Sequence, residues 1–357
     1  MSHATTLQPK VTIGLDLGDK LSQTCELDAA GALQGGAAVA TTRKGLQQYF
    51  GGRARCRVVL EVGTHSPWVE RLLTALGHET IVANPTEVYG GRRRKRKNDR
   101  LDAEFLARQG RSDPALLYPI THRSTQSQQD LEMARARDQL VRVRTQLINH
   151  VRGVVKSAGF RLPKCSAESF ATQAARYLPD PLHAALTPVL TLLAQTTTQI
   201  RQYDRQLAAL IATRYPAAQH LQQPSGVGPI TALVYVLLLD NDPTRLRCSR
   251  SAGPYFGLVP RLGDSSAASP QLRITKAGDA FGRRLLVSAA QYILGPFGPP
   301  CDLRRYGEAI AARGGRNAKK RAVIAVARKL AVLLHHLWIT NAIYDPNYQH
   351  TPVIDAA

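Results

Sequence analysis

Residues 11–19 read VTIGLDLGD, and their pattern sets the fold. Val11, Ile13 and Leu15 alternate along the stretch, the period of a half-buried strand. The strand ends on Asp16, and a glycine follows at Gly18. A carboxylate at the carboxyl end of a buried strand is costly unless something pairs with it. A metal ion is the commonest such partner that also does chemistry. Asp16 therefore calls for partners elsewhere in the chain.

The residues that follow build a sheet around this strand. Short alternating runs about a glycine in residues 23–42 predict a hairpin, giving strands two and three. Residues 42–50 read as a short helix. RVVLEV at 57–62 is strongly β-type and carries Glu61. A helix is expected around residues 68–76 and a strand over 79–83, ended by Asn84-Pro85. A hairpin followed by strand, helix and strand predicts a mixed sheet in an α/β domain spanning 1–122.

Six consecutive basic residues come next: Arg92, Arg93, Arg94, Lys95, Arg96 and Lys97. NDRLDAEFLARQG then reads as a helix in which Asp99 and Asp102, at i and i+3, share one face. Asp99 in a first helical turn also suits the helix dipole, which is a sufficient structural reason for one acid there. From about Ser124 the period becomes helical. Leu140, Val143, Leu147, Val151 and Val154 form a stripe with arginines between them, and Pro163, Pro179 and Pro181 interrupt it. A second stripe, Leu193, Ile200, Tyr203, Leu207 and Leu210, runs over residues 188–214. Such narrow stripes need a partner helix: helix-on-helix core within the chain is the plain reading, and residues 123–215 also read as a coiled-coil or oligomerisation segment of a dimer or tetramer.

Residues 216–343 read as a mostly α-helical domain. Gly226-Val227-Gly228 ahead of Pro229 resembles the turn of a helix-hairpin-helix, which presents backbone amides to phosphate. A plain glycine turn before a buried helix fits the same residues. Residues 253–277 are polar and irregular. They hold Ser265, Ser266 and Ser269, flanked by Arg261, Arg273 and Lys276. Serines clustered in a loop do not by themselves identify a nucleophile. Two basic helices close the chain. The second, 317–339, sets Lys319, Lys320, Arg321, Arg328 and Lys329 beside an apolar face. Residues 344–357 read as a disordered tail.

Lys+Arg 47 against Asp+Glu 26 gives a net charge of +21 in 357 residues. A chain this cationic repels itself unless it meets a polyanion, and nucleic acid is the first candidate. No apolar run approaches the roughly 20 residues of a membrane span, and the N-terminus lacks a signal-peptide core, so a cytoplasmic, nucleoid-associated protein without a membrane partner is expected. Aromatic residues are only 6%, which makes base stacking look minor. The five cysteines are scattered without a CxxC pair. That argues against disulfides and structural zinc, and for small buried apolar side chains.

Asp16, Glu61, Asp99 and Asp102 thus come from two strand ends and one helix face. If they converge, they cannot all ionise without a cation. Mg2+ suits such a set, because it takes oxygen ligands and keeps room for water and phosphate. Separate, solvated acids on a basic protein are the plain alternative.

VTIGLDLG, then VVLEVGTHSPWVERLL, then KNDRLDAEFLA resembles the RuvC-like DEDD domain, of ribonuclease H fold, in one family of insertion-sequence transposases described as bridge-RNA-guided recombinases. PSGVGPITA, FGLVPR, a serine and QLRITKAGD, in that order, resemble the same family's second half. The resemblance covers nearly the whole chain. It implies Asp16, Glu61, Asp99 and Asp102 as an acidic, Mg2+-binding tetrad and Ser265 as a nucleophile that forms a phosphoserine link to DNA. It also implies donor and target DNA, a guide RNA, and a tetrad from one subunit meeting the serine of another. Family members often carry glycine directly after the serine. Here Ser266 stands there, so Ser266 is the second choice and Ser269 a distant third.

Three other readings compete. A junction-resolvase type nuclease would use the tetrad and water alone. A sugar-kinase or actin-like ATPase would also open on Asp16-Leu17-Gly18, but nothing downstream supplies its second phosphate loop. Non-catalytic packaging of nucleic acid would satisfy the charge alone.

Overall fold

In the computed structural model, described over residues 11–84, 99–261 and 272–348, the opening stretch forms strand β1, Thr12–Asp16. It pairs antiparallel with β2, Leu21–Leu27. The expected third strand is split into β3, Leu33–Gly35, and β4, Ala38–Ala40, both paired with β2. Thr24 causes the split. Its amide donates to the Ala37 carbonyl at 2.9 Å, and its hydroxyl accepts the Ala37 amide at 2.9 Å, which breaks the ladder between the two pieces. After α1, Arg43–Phe50, capped by the Thr42 hydroxyl, comes β5, Arg57–Glu61, parallel to β1. Helix α2, Ser66–Ala75, leads to β6, Glu79–Ala83, parallel to β5. The result is the expected mixed sheet, in the order β3-β2-β1-β5-β6.

Strand alternation divides the side chains between two layers. Ile13, Leu15, Val58 and Leu60 point to α1 and α2 and pack on Leu46, Phe50, Val69 and Leu73. The other face carries α3, Asp99–Ser112, with Ala103 and Ala107 against Cys25 and Leu27, and Leu106 against Val59 and Ile81. Gly14 lies under α3, and a Cβ there would fall on the Ala103 carbonyl oxygen. Glycine on the strand and alanine on the helix thus let the two backbones touch. At the far end the Arg57 guanidinium donates to the Gly110 carbonyl at 2.9 Å while pairing with Glu79.

The chain falls into two compact units, Met1–Arg123 and Ser124–Ala357. The second is helical. Helix α4, Thr125–Ser157, ends before Pro163, and α5 spans Phe170–Tyr177. Helix α6, His183–Thr213, begins ahead of the expected start and accommodates Pro188 inside it. Helices α4 and α6 run antiparallel, so each is the other's partner. Val151 and Val155 meet Leu186, Leu190 and Leu193 at one end. Arg137 pairs with Asp204 at 2.8 Å, and Asp130 with Arg214 at 2.7 Å at the other end. The middle of the α4 stripe, Leu140, Val143 and Leu147, stays half-buried.

Helix α7, Pro216–His220, precedes α8, Pro229–Leu238, whose residues from Ala232 on are buried. Around α8 stand α9, Ala252–Tyr255, α10, Ala280–Leu294, α11, Asp302–Ala312, and α12, Ala318–Thr340. The Tyr235 hydroxyl, buried in α8, donates to the Ala331 carbonyl of α12 at 2.7 Å.

Three expectations change. Helix α12 is long and apolar enough to cross a membrane; counting uninterrupted apolar runs missed it because Arg328 and Lys329 divide the stretch. Its Ala322, Val326, Leu330, Leu334 and Leu337 are buried in the unit's core. The start of the tail is tied down rather than loose. The Tyr344 amide donates to Gln223 Oε1 at 2.8 Å, the Asp302 amide to the Pro346 carbonyl at 2.7 Å, and Arg305 to Asn347 at 2.7 Å. Residues 349–357 lie outside the described residues. Cys25, Cys56 and Cys301 are buried, but Cys165 is half-buried and Cys248 exposed.

Two predictions follow from this packing. Each unit holds one tryptophan, Trp68 and Trp338, so Trp68 fluorescence in a Trp338→Phe background reports the sheet unit alone. In that background Gly14→Val should destabilise the sheet unit by about 1–3 kcal/mol in urea unfolding, because the helix must lift off the strand. Burial alone would raise the Asp130 carboxyl, but the Tyr215 hydroxyl at 2.6 Å, Arg214 and Gln126 hold it below its ordinary value. A depressed folded value contributes stability above the unfolded value, about 3.9, that is lost as pH falls through the folded one. Asp130→Asn should therefore cost about 1–3 kcal/mol at neutral pH and flatten the acid unfolding of the helical unit below about pH 4.

Candidate active site

Residues on the α3 face of the sheet alternate with those of the core beneath it. Asp16 is two residues beyond Gly14 and so faces α3. Leu15 pairs with Leu60 across the parallel ladder, so Asp16 and Glu61 occupy the next positions at neighbouring strand ends. Helix α3 runs antiparallel to β1, with Ala103 over Gly14. Its first turn, carrying Asp99 and Asp102, therefore lies at the carboxyl ends of the strands. Ligand sites of open α/β sheets form at that edge.

The carboxylates of Asp16, Asp99 and Asp102 each place one oxygen within 4.8 Å of the others. Asp16 and Asp102 are half-buried and Asp99 exposed. Hard carboxylate oxygens from three directions match what a divalent ion such as Mg2+ takes, with open sides for water and substrate. The positive end of α3 faces the same spot and favours negative charge there. Glu61 stands at the adjacent strand end, outside the three-carboxylate group. The convergence assumed from sequence thus holds for three of the four acids at ligand distance.

A histidine that pattern reading passed over sits at the same sheet edge. The Trp68 indole donates to His65 Nδ1 at 3.1 Å, so the proton of the neutral ring is on Nε2. Nε2 lies 3.6 Å from Asp19 Oδ1. Asp19 follows β1 and His65 follows β5, so the pair links the two turns beyond Asp16 and Glu61. The available signal was spacing: His65 lies four residues past Glu61.

Ser265, Ser266 and Ser269 lie outside the described residues, as do Arg92, Arg93, Arg94, Lys95, Arg96 and Lys97. The chain on either side of the serines forms an antiparallel stem. The Arg261 amide donates to the Arg273 carbonyl at 2.9 Å, Thr275 to Val259 at 2.9 Å and Lys276 to Gly257 at 3.2 Å. Arg261, Arg273 and Lys276 are exposed on this stem. Lys319, Lys320 and Arg321 are exposed in the first turn of α12. Gly226 takes a left-handed φ of +85° in the turn before α8, and Gly228 is that helix's N-cap. A short helix, a glycine turn and a second helix are present there, the second of them buried from Ala232 on.

Comparison with known proteins points one way. Residues 13–159 match the family model of the IS110-type DEDD transposase, described as "Transposase". Residues 218–303 match "Transposase IS116/IS110/IS902 family". The chain is 30% identical to the transposase for insertion sequence element IS1328 of Yersinia enterocolitica, over 69% of this chain and 73% of that one. It is 28% identical to the transposase for insertion sequence element IS1111A of Coxiella burnetii, over 90% and 88% of the two chains. A probable family 20 transposase of Pseudomonas aeruginosa is 27% identical over 85% and 90%.

The acidic group has a direct test. With Mg2+ about a hundredfold above its dissociation constant, thermal unfolding of the sheet unit should shift by an equivalent of about 2–3 kcal/mol. Asp16→Asn and Asp102→Asn should lose that shift. A full shift in Asp16→Asn would put the ion elsewhere.

Proposed function

The chain belongs to the IS116/IS110/IS902 family of insertion-sequence transposases, and from that membership we propose a serine-linked DNA strand transfer, assisted by Mg2+ and addressed by a guide RNA. The observation that carries the metal half is the meeting of Asp16, Asp99 and Asp102 at one sheet edge. The serine half rests on the motif order around Ser265, with residues 216–343 as the unit that bears it.

Mg2+ held there would neutralise charge that develops on a phosphodiester during displacement. Asp16 and the α3 pair position it, and Glu61 completes the acidic edge from the neighbouring strand. The Ser265 oxygen attacks phosphorus. A phosphoserine ester forms as the bond to the leaving sugar oxygen breaks, and the serine proton ends on that oxygen. Serine is a weak nucleophile at its free pKa, so it needs the charge neutralisation at the phosphate. Because the ester conserves the phosphodiester's bond, another strand's hydroxyl can displace the serine with no external energy source.

Sequence choice falls to RNA pairing with donor and target DNA, and the protein grips backbones. Arg92, Arg93, Arg94, Lys95, Arg96 and Lys97 supply one grip, and Arg261, Arg273 and Lys276 another. Lys319, Lys320 and Arg321 stand at the positive end of α12, where the helix dipole disfavours cations. A nucleic-acid phosphate there would relieve that clash. The proposal includes a homo-oligomer, dimer or tetramer, working at the nucleoid.

Cleavage of DNA bearing the element's ends tests the chemistry. Ser265→Ala should abolish both cleavage and the covalent protein–DNA adduct, and Asp16→Asn should abolish cleavage with RNA binding intact. Cleavage at the wild-type rate in both Ser265→Ala and Ser266→Ala would mean that water is the nucleophile. One discrete non-coding RNA should co-purify with the protein; random cellular RNA would count against guidance. Neutralising the run from Arg92 to Lys97 should flatten the log–log salt dependence of binding by about 4–5.

A further inference from the structure

We infer that Phe297 is a base-stacking wedge: a rigid, solvent-facing ring that stacks on an unpaired or unstacked nucleobase of the bound nucleic acid. The inference rests on the nucleic-acid reading above and adds a contact that charge does not provide. Phe297 is 81% exposed. It sits in the sequence Gly295-Pro296-Phe297-Gly298-Pro299-Pro300, between α10 and α11.

A greasy ring on a loose loop would be unremarkable, but this loop is held. Arg304 Nη1 reaches back from α11 and donates to the carbonyls of Ile293 at 3.1 Å, Gly295 at 2.8 Å and Gly298 at 2.7 Å. Its Nε is fixed in turn by Glu308 at 2.8 Å. The Gly295 amide closes on the Tyr292 carbonyl at 3.1 Å, and the Gly298 amide on Gly295 at 3.2 Å. Three prolines remove further freedom. One guanidinium therefore gathers the carbonyls on both sides of Phe297 and fixes the backbone that bears it.

The surroundings favour nucleic acid over a protein partner. An interface with a protein buries about 800 Å2 a side, whereas a single Phe offers about 150–250 Å2. A lone apolar ring on a stiff tip is the form of the side chains that wedge between bases. Tyr292, 46% exposed, stands on the same helix end. It packs against the glycine turn, since a Cβ at Gly226 would come within 3.2 Å of the Tyr292 ring. The turn singled out for phosphate thus packs against the end of the helix that leads into the Phe297 loop. The low overall aromatic content hid this, because stacking depends on where a ring is held and not on how many there are.

The test uses the full-length protein and a single-stranded oligonucleotide carrying 2-aminopurine. Wild-type protein should bind it with a steep salt dependence and change the probe's fluorescence by stacking. Phe297→Ala should weaken binding about tenfold and remove most of the fluorescence change, with an unaltered salt slope. Phe297→Trp should restore both. Arg304→Gln, which keeps the ring and loosens its mount, should fall between. Thermal unfolding should match wild type in Phe297→Ala, since the ring is in solvent. Equal binding and equal fluorescence in wild type and Phe297→Ala would overturn the wedge while leaving the nucleic-acid reading intact. Failure of the wild type to bind would instead overturn that reading. A change of sedimentation in Phe297→Ala, with binding unchanged, would make the ring a subunit contact and overturn the wedge.

Discussion

The close approach of three carboxylates is the constraint on which the N-terminal unit turns. Asp16, Asp99 and Asp102 bring carboxylate oxygens within 4.8 Å of one another, and nothing in a sheet favours that by itself. Three features hold them there. Hydrophobic packing of Leu106 and the two alanines fastens α3 to the sheet. Gly14 removes the side chain that would keep the helix away. The helix's own positive end then faces the acids. Packing elsewhere on the same helix thus holds the acids together at the carboxyl edge of an otherwise ordinary α/β layer.

The helical unit depends on a different kind of pairing. Arg137 with Asp204 and Arg214 with Asp130 fix the offset between α4 and α6. Arg135 with Asp279 and Arg284 with Asp138 tie α4 to α10 and its N-cap. Half-exposed pairs of this kind add little stability singly, the buried Asp130 carboxylate excepted. Their directionality, however, distinguishes one sliding register of an apolar stripe from another, and α4 needs that because its middle is only half-buried. The arginines that look like nucleic-acid ligands in the sequence are thus in part internal struts.

How much of this was legible depends on the range of the interactions involved. Strands and helices of the first unit follow periodicity, and β6 falls on the expected residues 79–83. Membership of Asp16, Asp99 and Asp102 in one acidic set was legible from motif order, because strand ends and a first helical turn have few places to go. Side-chain reach was not legible: whether Glu61 closes on the others depends on side-chain geometry that no spacing encodes. The break between β3 and β4 was hidden because one threonine hydroxyl, Thr24, competes with the ladder. His65 is not legible in the sequence, because its partners, Asp19 and Trp68, gain meaning only when two turns meet. The anchoring of the tail is not legible locally, because Pro346 and Asn347 are held by α11, more than forty residues earlier in the chain.

The stem below the serines has an evolutionary consequence. Backbone hydrogen bonds from Gly257 to Arg261 and from Arg273 to Lys276 fix where residues 262–271 leave and rejoin the unit. Closing a chain segment on fixed ends costs only about 0.6 kcal/mol more for each doubling of its length. Insertions and deletions between the stem strands therefore leave the helical core untouched. Length and composition can thus vary between the stem strands without refolding the helical unit that carries them.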